Sequence, residues 1–145
     1  MNRLKSVLVL CSLILPTQVF LLPQAYSSDV TAAQANGTWR SKTGTFKVWA
    51  LGKQRLQVEF FGVYEYKTSA GPMANTGEGS GIAFIEGDTA TFKPDGSEED
   101  CKITMKFREG KLRVEQEGGC GFGLNVTANG TYKKVSSGRP RFGEG

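Results

Sequence analysis

Histidine is absent from this chain of 145 residues. Without an imidazole, no Ser-His-Asp or Cys-His arrangement can form, and the commonest metal ligand and neutral-pH proton shuttle is missing. The glycine-rich segments at 77–81 and 118–123 lack the Gly-Lys-Ser/Thr ending of a phosphate-binding loop. The sequence therefore predicts no catalytic residue, no metal site and no cofactor, and we expect a protein that is not an enzyme.

Long apolar runs are confined to the first 27 residues. Arg3 and Lys5 make a basic start, residues 7–15 are apolar, and small residues stand at the −3 and −1 positions of a cleavage after Ser27. This order is typical of a secretory signal peptide, and the run is far shorter than the ~20 residues that span a bilayer. An uncleaved membrane anchor is the alternative. We predict a signal peptide at 1–27, a periplasmic or secreted protein, and no transmembrane segment after processing.

The excess of positive charge is small once that segment is removed. The whole chain carries 18 basic and 14 acidic residues, and Arg3 and Lys5 supply two of the basic ones. The processed chain therefore has a net charge of only +2. A nucleic-acid-binding protein of this size is expected to be far more basic or to carry a recognised motif. We therefore expect no nucleic acid among the partners.

Cysteine is scarce, and only Cys101 and Cys120 remain after processing. Two cysteines in an oxidising compartment predict one disulfide bond. Closing a loop of this length stabilises a fold by about 3 kcal/mol in the chain-entropy model.

Helical periodicity is missing as well: no segment of ten or more residues has apolar side chains at helical spacing. Short alternating runs are instead separated by Gly, Asn and Asp about every ten residues, which predicts about eight antiparallel strands in a meander, forming a small closed or nearly closed barrel. The clearest strand is 55–67, with apolar residues at even positions. We assign 28–135 to the barrel domain and 136–145, which lacks periodicity, to a flexible tail.

A β-hairpin is predicted at 101–117. Alternating residues on both sides of a turn at Glu109-Gly110 set a register in which Phe107 faces Leu112 and Met105 faces Val114. The same register places Cys101 opposite Gly118. A bulge at 118–119 would then bring Cys120 beside Cys101, so that the disulfide closes the open end of the hairpin.

The remaining strands are predicted at 37–41, 45–50, 81–85, 89–93 and 130–135. Three-residue loops are expected at 51–53 and 86–88, the latter pairing Phe84 with Ala90 and Ile82 with Phe92. Residues 68–79 are predicted to form a long loop.

The first and last strands begin with nearly the same tetrapeptide, Asn-Gly-Thr followed by Trp39 or Tyr132. Either this is a coincidence between two strand entries, or the two strands lie side by side and close the barrel.

Two resemblances accompany these patterns. The segment 120–126, Cys-Gly-Phe-Gly-Leu-Asn-Val, with Gly-Thr-Tyr at 130–132, is similar to the ending of small exported bacterial β-barrel proteins that mostly have no assigned function; it covers about 77–134. Gly-Thr-Trp at 37–39 with Gly-Thr-Phe-Lys-Val at 44–48 distantly resembles the opening strands of the calycins, the lipocalins and avidins. The calycin resemblance implies a basic residue of the last strand over Trp39, where Lys133 would stand in for the usual arginine.

Two candidate sites emerge. Tyr64 and Tyr66, at the end of the inner face of the long strand, could line a ligand site at one barrel mouth together with Trp39. A filled core with packed tyrosines is the alternative.

The second candidate site is a basic patch for an anionic partner, formed by Lys106, Arg108, Lys111 and Arg113 near the hairpin tip. A solvated surface without a partner is the alternative. We expect a monomeric interaction or binding module of the cell envelope, whose partner is an unknown envelope protein or an anionic polymer. A small-ligand-binding calycin-like barrel, or an inhibitor of a cell-wall hydrolase such as lysozyme, are the alternatives.

Overall fold

The computed structural model describes residues 29–144, so the predicted signal peptide at 1–27 lies outside the described residues. One short helix is followed by eight strands: α1 (Ala32–Ala35), β1 (Gly37–Arg40), β2 (Gly44–Gly52), β3 (Arg55–Thr68), β4 (Gly71–Glu86), β5 (Thr89–Phe92), β6 (Lys102–Arg108), β7 (Lys111–Glu117) and β8 (Gly130–Ser136).

The strands form a closed antiparallel barrel in which each strand pairs with its neighbours in sequence and β8 returns to pair with β1. The prediction of an all-β meander of about eight strands is confirmed. The side-by-side placement of the first and last strands is confirmed too. Closure leaves neither of these two strands as an edge of the sheet.

The two similar tetrapeptides make equivalent contacts. Each follows a buried alanine, and each aromatic residue donates a hydrogen bond to the carbonyl of that alanine: Nε1 of Trp39 to Ala35 at 3.0 Å, and the hydroxyl of Tyr132 to Ala128 at 2.9 Å. Asn36 and Asn129 begin the two motifs. The side-chain oxygen of each accepts a hydrogen bond from a backbone N–H of a neighbouring strand, at 2.6 Å in both copies. The repeat therefore fixes the entry of both closing strands.

Aromatic side chains fill the barrel interior. The Phe46 ring lies 4.8 Å from that of Phe60 and 5.0 Å from that of Tyr132, and Phe60 contacts Phe122 at 4.8 Å. The rings of Phe46, Phe60 and Tyr132 are fully buried. We call the end of the barrel that carries α1 the helix end, and the opposite end, near Phe122 and the cysteines, the disulfide end.

Strand β3 is confirmed over its predicted length, but the predicted long loop at 68–79 is wrong. Those residues belong mostly to β4, which pairs with β3 at fourteen successive positions from Arg55↔Phe84 to Thr68↔Gly71. Because β2 pairs with β3 only as far as Gly62 and β5 pairs with β4 only from Ala83 onward, residues 64–75 project beyond the disulfide end as a two-stranded hairpin.

Packing explains why the first part of β4 carries so few apolar residues. A Cβ atom at Gly77 would lie 1.7 Å from the carbonyl oxygen of Phe122, and one at Gly79 would lie 2.8 Å from the Phe122 ring. Glycine inside a strand marks such close approaches. The inner face of β4 therefore carries glycines where Phe122 packs against it, and it shows no apolar alternation.

The predicted register between β4 and β5 is wrong by one residue. Ala90 pairs with Ile85, and Phe92 pairs with Ala83, across a two-residue turn at Gly87-Asp88. A shift of one residue exchanges the two faces of a strand. As a result Ala83 is buried beside the large rings of the core, whereas Phe84 is 62% exposed.

The turn between β2 and β3 also differs from the predicted three-residue loop at 51–53. Lys53 and Gln54 occupy it, with φ of 52° and 58°. Positive φ at both central residues is the geometry of a type I′ turn, which matches the twist of the flanking strands.

The hairpin of β6 and β7 has the predicted register, with Phe107 opposite Leu112 and Met105 opposite Val114. The Cys101–Cys120 disulfide is present, with the two Cα atoms 4.9 Å apart. Gly118 at the predicted bulge has φ of 73°, a conformation that favours glycine. The bridge thus closes the open end of this hairpin and anchors the loop that carries Phe122.

The segment after β8 lies against the outside of β2 and β3. The Arg139 guanidinium is 5.5 Å from the centre of the Trp49 ring. Further along, the Gly143 N–H donates to the Glu59 carboxylate at 2.6 Å, and Glu59 also pairs with Lys47.

Candidate functional site

The predicted basic patch lies on the outer face of β6 and β7. Lys106 stands directly opposite Arg113, and Arg108 directly opposite Lys111. All four side chains are exposed. They are exposed because their neighbours in sequence, such as Phe107 and Leu112, point into the core, and successive side chains of a strand alternate between faces.

Barrel closure enlarges this patch with two cations that are distant in sequence. Lys133 on β8 pairs with Lys111, and Arg40 on β1 pairs with Lys133. Arg108, Lys111, Lys133 and Arg40 thus form one line across four neighbouring strands, which we call the basic row. Neighbouring strands are about 4.8 Å apart, so the row extends for about 14 Å. The basic row together with Lys106 and Arg113 is called the basic band.

Counter-charges differ between the two parts of the band. Lys106 Nζ lies 3.9 Å from an Asp88 carboxylate oxygen, and Arg113 Nε lies 3.6 Å from one of Glu115. None of the four basic-row residues has a carboxylate oxygen of residues 29–144 within 4.0 Å. The basic row is therefore a line of uncompensated cations held at fixed spacing by the sheet.

Sequence reasoning missed Arg40 and Lys133 as members of this surface. Alternation within each strand indicates that both point outward. Their positions beside Lys111, however, depend on the pairing of β7 with β8 and of β8 with β1.

The residues predicted to line an interior ligand site do not come together. Tyr64 and Tyr66 lie on the projecting hairpin, where their rings stack on each other with centroids 6.2 Å apart, and Tyr64 is 40% exposed. Trp39 is buried near the opposite, helix end of the barrel, with its ring 5.6 Å from that of Phe107. The strand that carries the tyrosines has already left the barrel at that point.

The cation over Trp39 is Lys134, and the expectation for Lys133 is wrong. Lys134 Nζ lies 4.7 Å from the centre of the Trp39 ring and donates to the carbonyls of Ala33 and Gln34 at 3.0 and 2.8 Å. Burial lowers the pKa of Lys134, because desolvation disfavours the charged form. The alternation that places Tyr132 inside also places Lys134 inside, and this signal could have identified it.

A groove of about 280 Å³ opens beside this lysine at the helix end, between α1 and the β6–β7 turn. Trp39 and Phe107 form its floor. Arg108 and Lys111, the first two members of the basic row, lie at its rim together with Lys134.

Within residues 29–144, no group of three or more His, Cys, Asp or Glu side chains is placed to hold a metal ion. No helix in the same range has the length and apolarity needed to cross a membrane. Comparisons of the chain with protein families, with curated proteins and with solved structures found no match.

Proposed function

We propose that this protein is an exported, non-enzymatic interaction module of the cell envelope that binds an anionic polymer through its outer basic band. The observation that carries the proposal is the basic row: four cations on four neighbouring strands, with no carboxylate oxygen of residues 29–144 within 4.0 Å of any of them.

Such a row is unfavourable in the protein alone, because like charges directly opposite each other destabilise a sheet. An extended polymer with an anionic group on successive units would place negative charge against several of these cations at once. The barrel fixes the backbone spacing in advance, so the strands need little ordering when the polymer binds. These features favour a linear polyanion over a single small anion at this surface.

The alternative of a ligand inside the barrel has less support. The interior positions are occupied by Phe46, Phe60 and Tyr132, which are all fully buried, with the Phe46 ring in contact with the other two. We therefore place the binding surface on the outside of the barrel.

Chromatography on an immobilised anionic polysaccharide tests the proposal. A variant with Arg40, Lys111, Lys133 and Arg108 changed to glutamine should pass through a dextran sulfate column at a salt concentration that retains the unchanged protein. Retention by several ion contacts should fall steeply as salt rises, because exposed charges are screened.

A control variant with the same change in net charge separates the basic row from overall charge. Four exposed cations elsewhere, Lys53, Arg55, Lys67 and Lys102, are changed to glutamine. This control should elute close to the unchanged protein. Equal loss of retention in both variants would mean that net charge, and not the basic row, drives binding, and would overturn the proposal.

Export is tested separately by mass spectrometry of the protein from a periplasmic extract. Cleavage after Ser27 and a mass two hydrogens below that of the reduced chain are expected. An intact N-terminus would refute the exported part of the proposal.

A further inference from the structure

The groove at the helix end is a built feature of the fold. Thr31 and Gln34 cap the short helix reciprocally, and the Trp39 indole donates to the Ala35 carbonyl at the other end of that helix. The Trp39 hydrogen bond, together with those from Lys134 to the Ala33 and Gln34 carbonyls, ties α1 to the barrel. The groove therefore lies between two fixed walls, α1 on one side and the β6–β7 turn on the other.

Most of the lining is apolar. Val30 and Ala33 line one side of the groove, and the buried side chains of Trp39 and Phe107 line its floor. A volume of about 280 Å³ is that of about nine water molecules in the liquid, which leaves room for a body of roughly nine non-hydrogen atoms.

The polar lining is dominated by positive charge. Lys134, Arg108 and Lys111 line the groove, against the single carboxylate of Glu109. The ammonium of Lys134 contacts two neutral carbonyls and a ring face, and no carboxylate oxygen of the described chain lies within 4.0 Å of it. A half-buried cation without a counter-ion favours a ligand that brings one.

We propose that this groove binds a small organic anion, with a carboxylate or similar singly charged head beside Lys134 and a short apolar body over Trp39 and Phe107. The charge of the lining selects the head, and the apolar wall and floor select the body. Arg108 and Lys111 belong both to this groove and to the basic row. The inference therefore deepens the proposed function and rests on it at these two residues.

Fluorescence of Trp39 provides the assay. The chain has two tryptophans, so Trp49→Phe leaves Trp39 as the only one. Titration of this variant with alkanoates of four to ten carbons should give a saturable change in emission. Each added methylene should tighten binding by up to about four-fold until the groove is full, because a buried methylene contributes about 0.8 kcal/mol. Alcohols of the same length should bind at least ten-fold more weakly. A response equal for octanol and octanoate, or no saturable response, would overturn the inference.

Two substitutions on α1, made in the Trp49→Phe background, give a matched pair. Ala33 lines the groove, whereas Ala32 lines a depression on the opposite side of the helix. Ala33→Phe should weaken octanoate binding at least ten-fold, and Ala32→Phe should leave it unchanged. An equal effect of both would contradict a ligand in this groove.

Failure of this inference and failure of the proposed function are distinguishable. Absence of octanoate binding with dextran sulfate retention intact overturns only the groove. Saturable octanoate binding in a protein that dextran sulfate does not retain overturns only the polymer surface.

Discussion

Relief of charge repulsion at Lys111 would be the clearest sign that the basic row is kept for binding and not for stability. Lys111 stands directly between Arg108 and Lys133, so Lys111→Gln removes two like-charge pairs. Two unit charges about 5 Å apart in water repel by about 0.8 kcal/mol. With a Debye length of about 8 Å at physiological ionic strength, roughly half of this remains. The variant should therefore be more stable by up to about 0.9 kcal/mol at 0.15 M salt and by up to about 1.4 kcal/mol at 0.01 M.

Urea unfolding followed by circular dichroism at both salt concentrations measures this effect. The midpoint should rise while the slope stays constant, since the surface exposed on unfolding does not change. Lys67→Gln is the control, because Lys67 is exposed on β3 opposite Pro72 and faces no like charge there. Its stability should change little with salt. A Lys111→Gln protein that is no more stable than the unchanged one, or whose gain is independent of salt, would refute the reasoning about the basic row.

Three further predictions concern the scaffold. Burial raises the pKa of Tyr132 to about 12, and a hydrogen bond with the Ser41 side chain opposes this shift in part. The neutral Tyr132 hydroxyl therefore stabilises the fold fully below pH 10, and up to about 2.7 kcal/mol of this stability is lost as pH rises towards 12. Tyr132→Phe should lack this loss when the free energy of unfolding is measured against pH. Gly77→Ala should destabilise the fold by more than about 3 kcal/mol or prevent folding, because the new Cβ would meet the Phe122 backbone. The control Gly138→Ala, whose Cβ would have its nearest atom at 3.6 Å, should change the free energy of unfolding by no more than about 0.5 kcal/mol. Thermal denaturation of both variants measures the difference. Asn129→Ala should lower the free energy of unfolding in urea by about 1 kcal/mol, because the Gln116 N–H loses its acceptor, and Asn129→Asp should retain most of the stability.

Local pattern was sufficient for the β6–β7 hairpin and for strand β3. The β6–β7 hairpin combines alternation on both sides of a short turn with two cysteines at matching positions, so its register and its disulfide could both be predicted. Strand β3 could be predicted for the same reason, since alternation over its length requires no knowledge of the partner.

Where the partner is a loop or a core layer, local pattern failed. Gly77 and Gly79 of β4 lie where Phe122 packs closely against the strand, and that contact joins segments about forty residues apart. In the β4–β5 register the small Ala83 lies inside the aromatic core, whereas the larger apolar residues Phe84 and Ile82, which the prediction had placed inside, lie on the outside.

The candidate site divides in the same way. By itself the sequence determined that the chain alternates as strands, that two cysteines can close a hairpin, and that four cations share the outside of β6 and β7. Each of these depends on residues within one strand or one hairpin, at most 19 positions apart. Only the tertiary structure decided that Arg40 and Lys133 continue the line, and that Lys134 lies over Trp39 beside a groove. These placements arise from closing the barrel, which brings the first and last strands together and is set by packing and pairing over the whole chain.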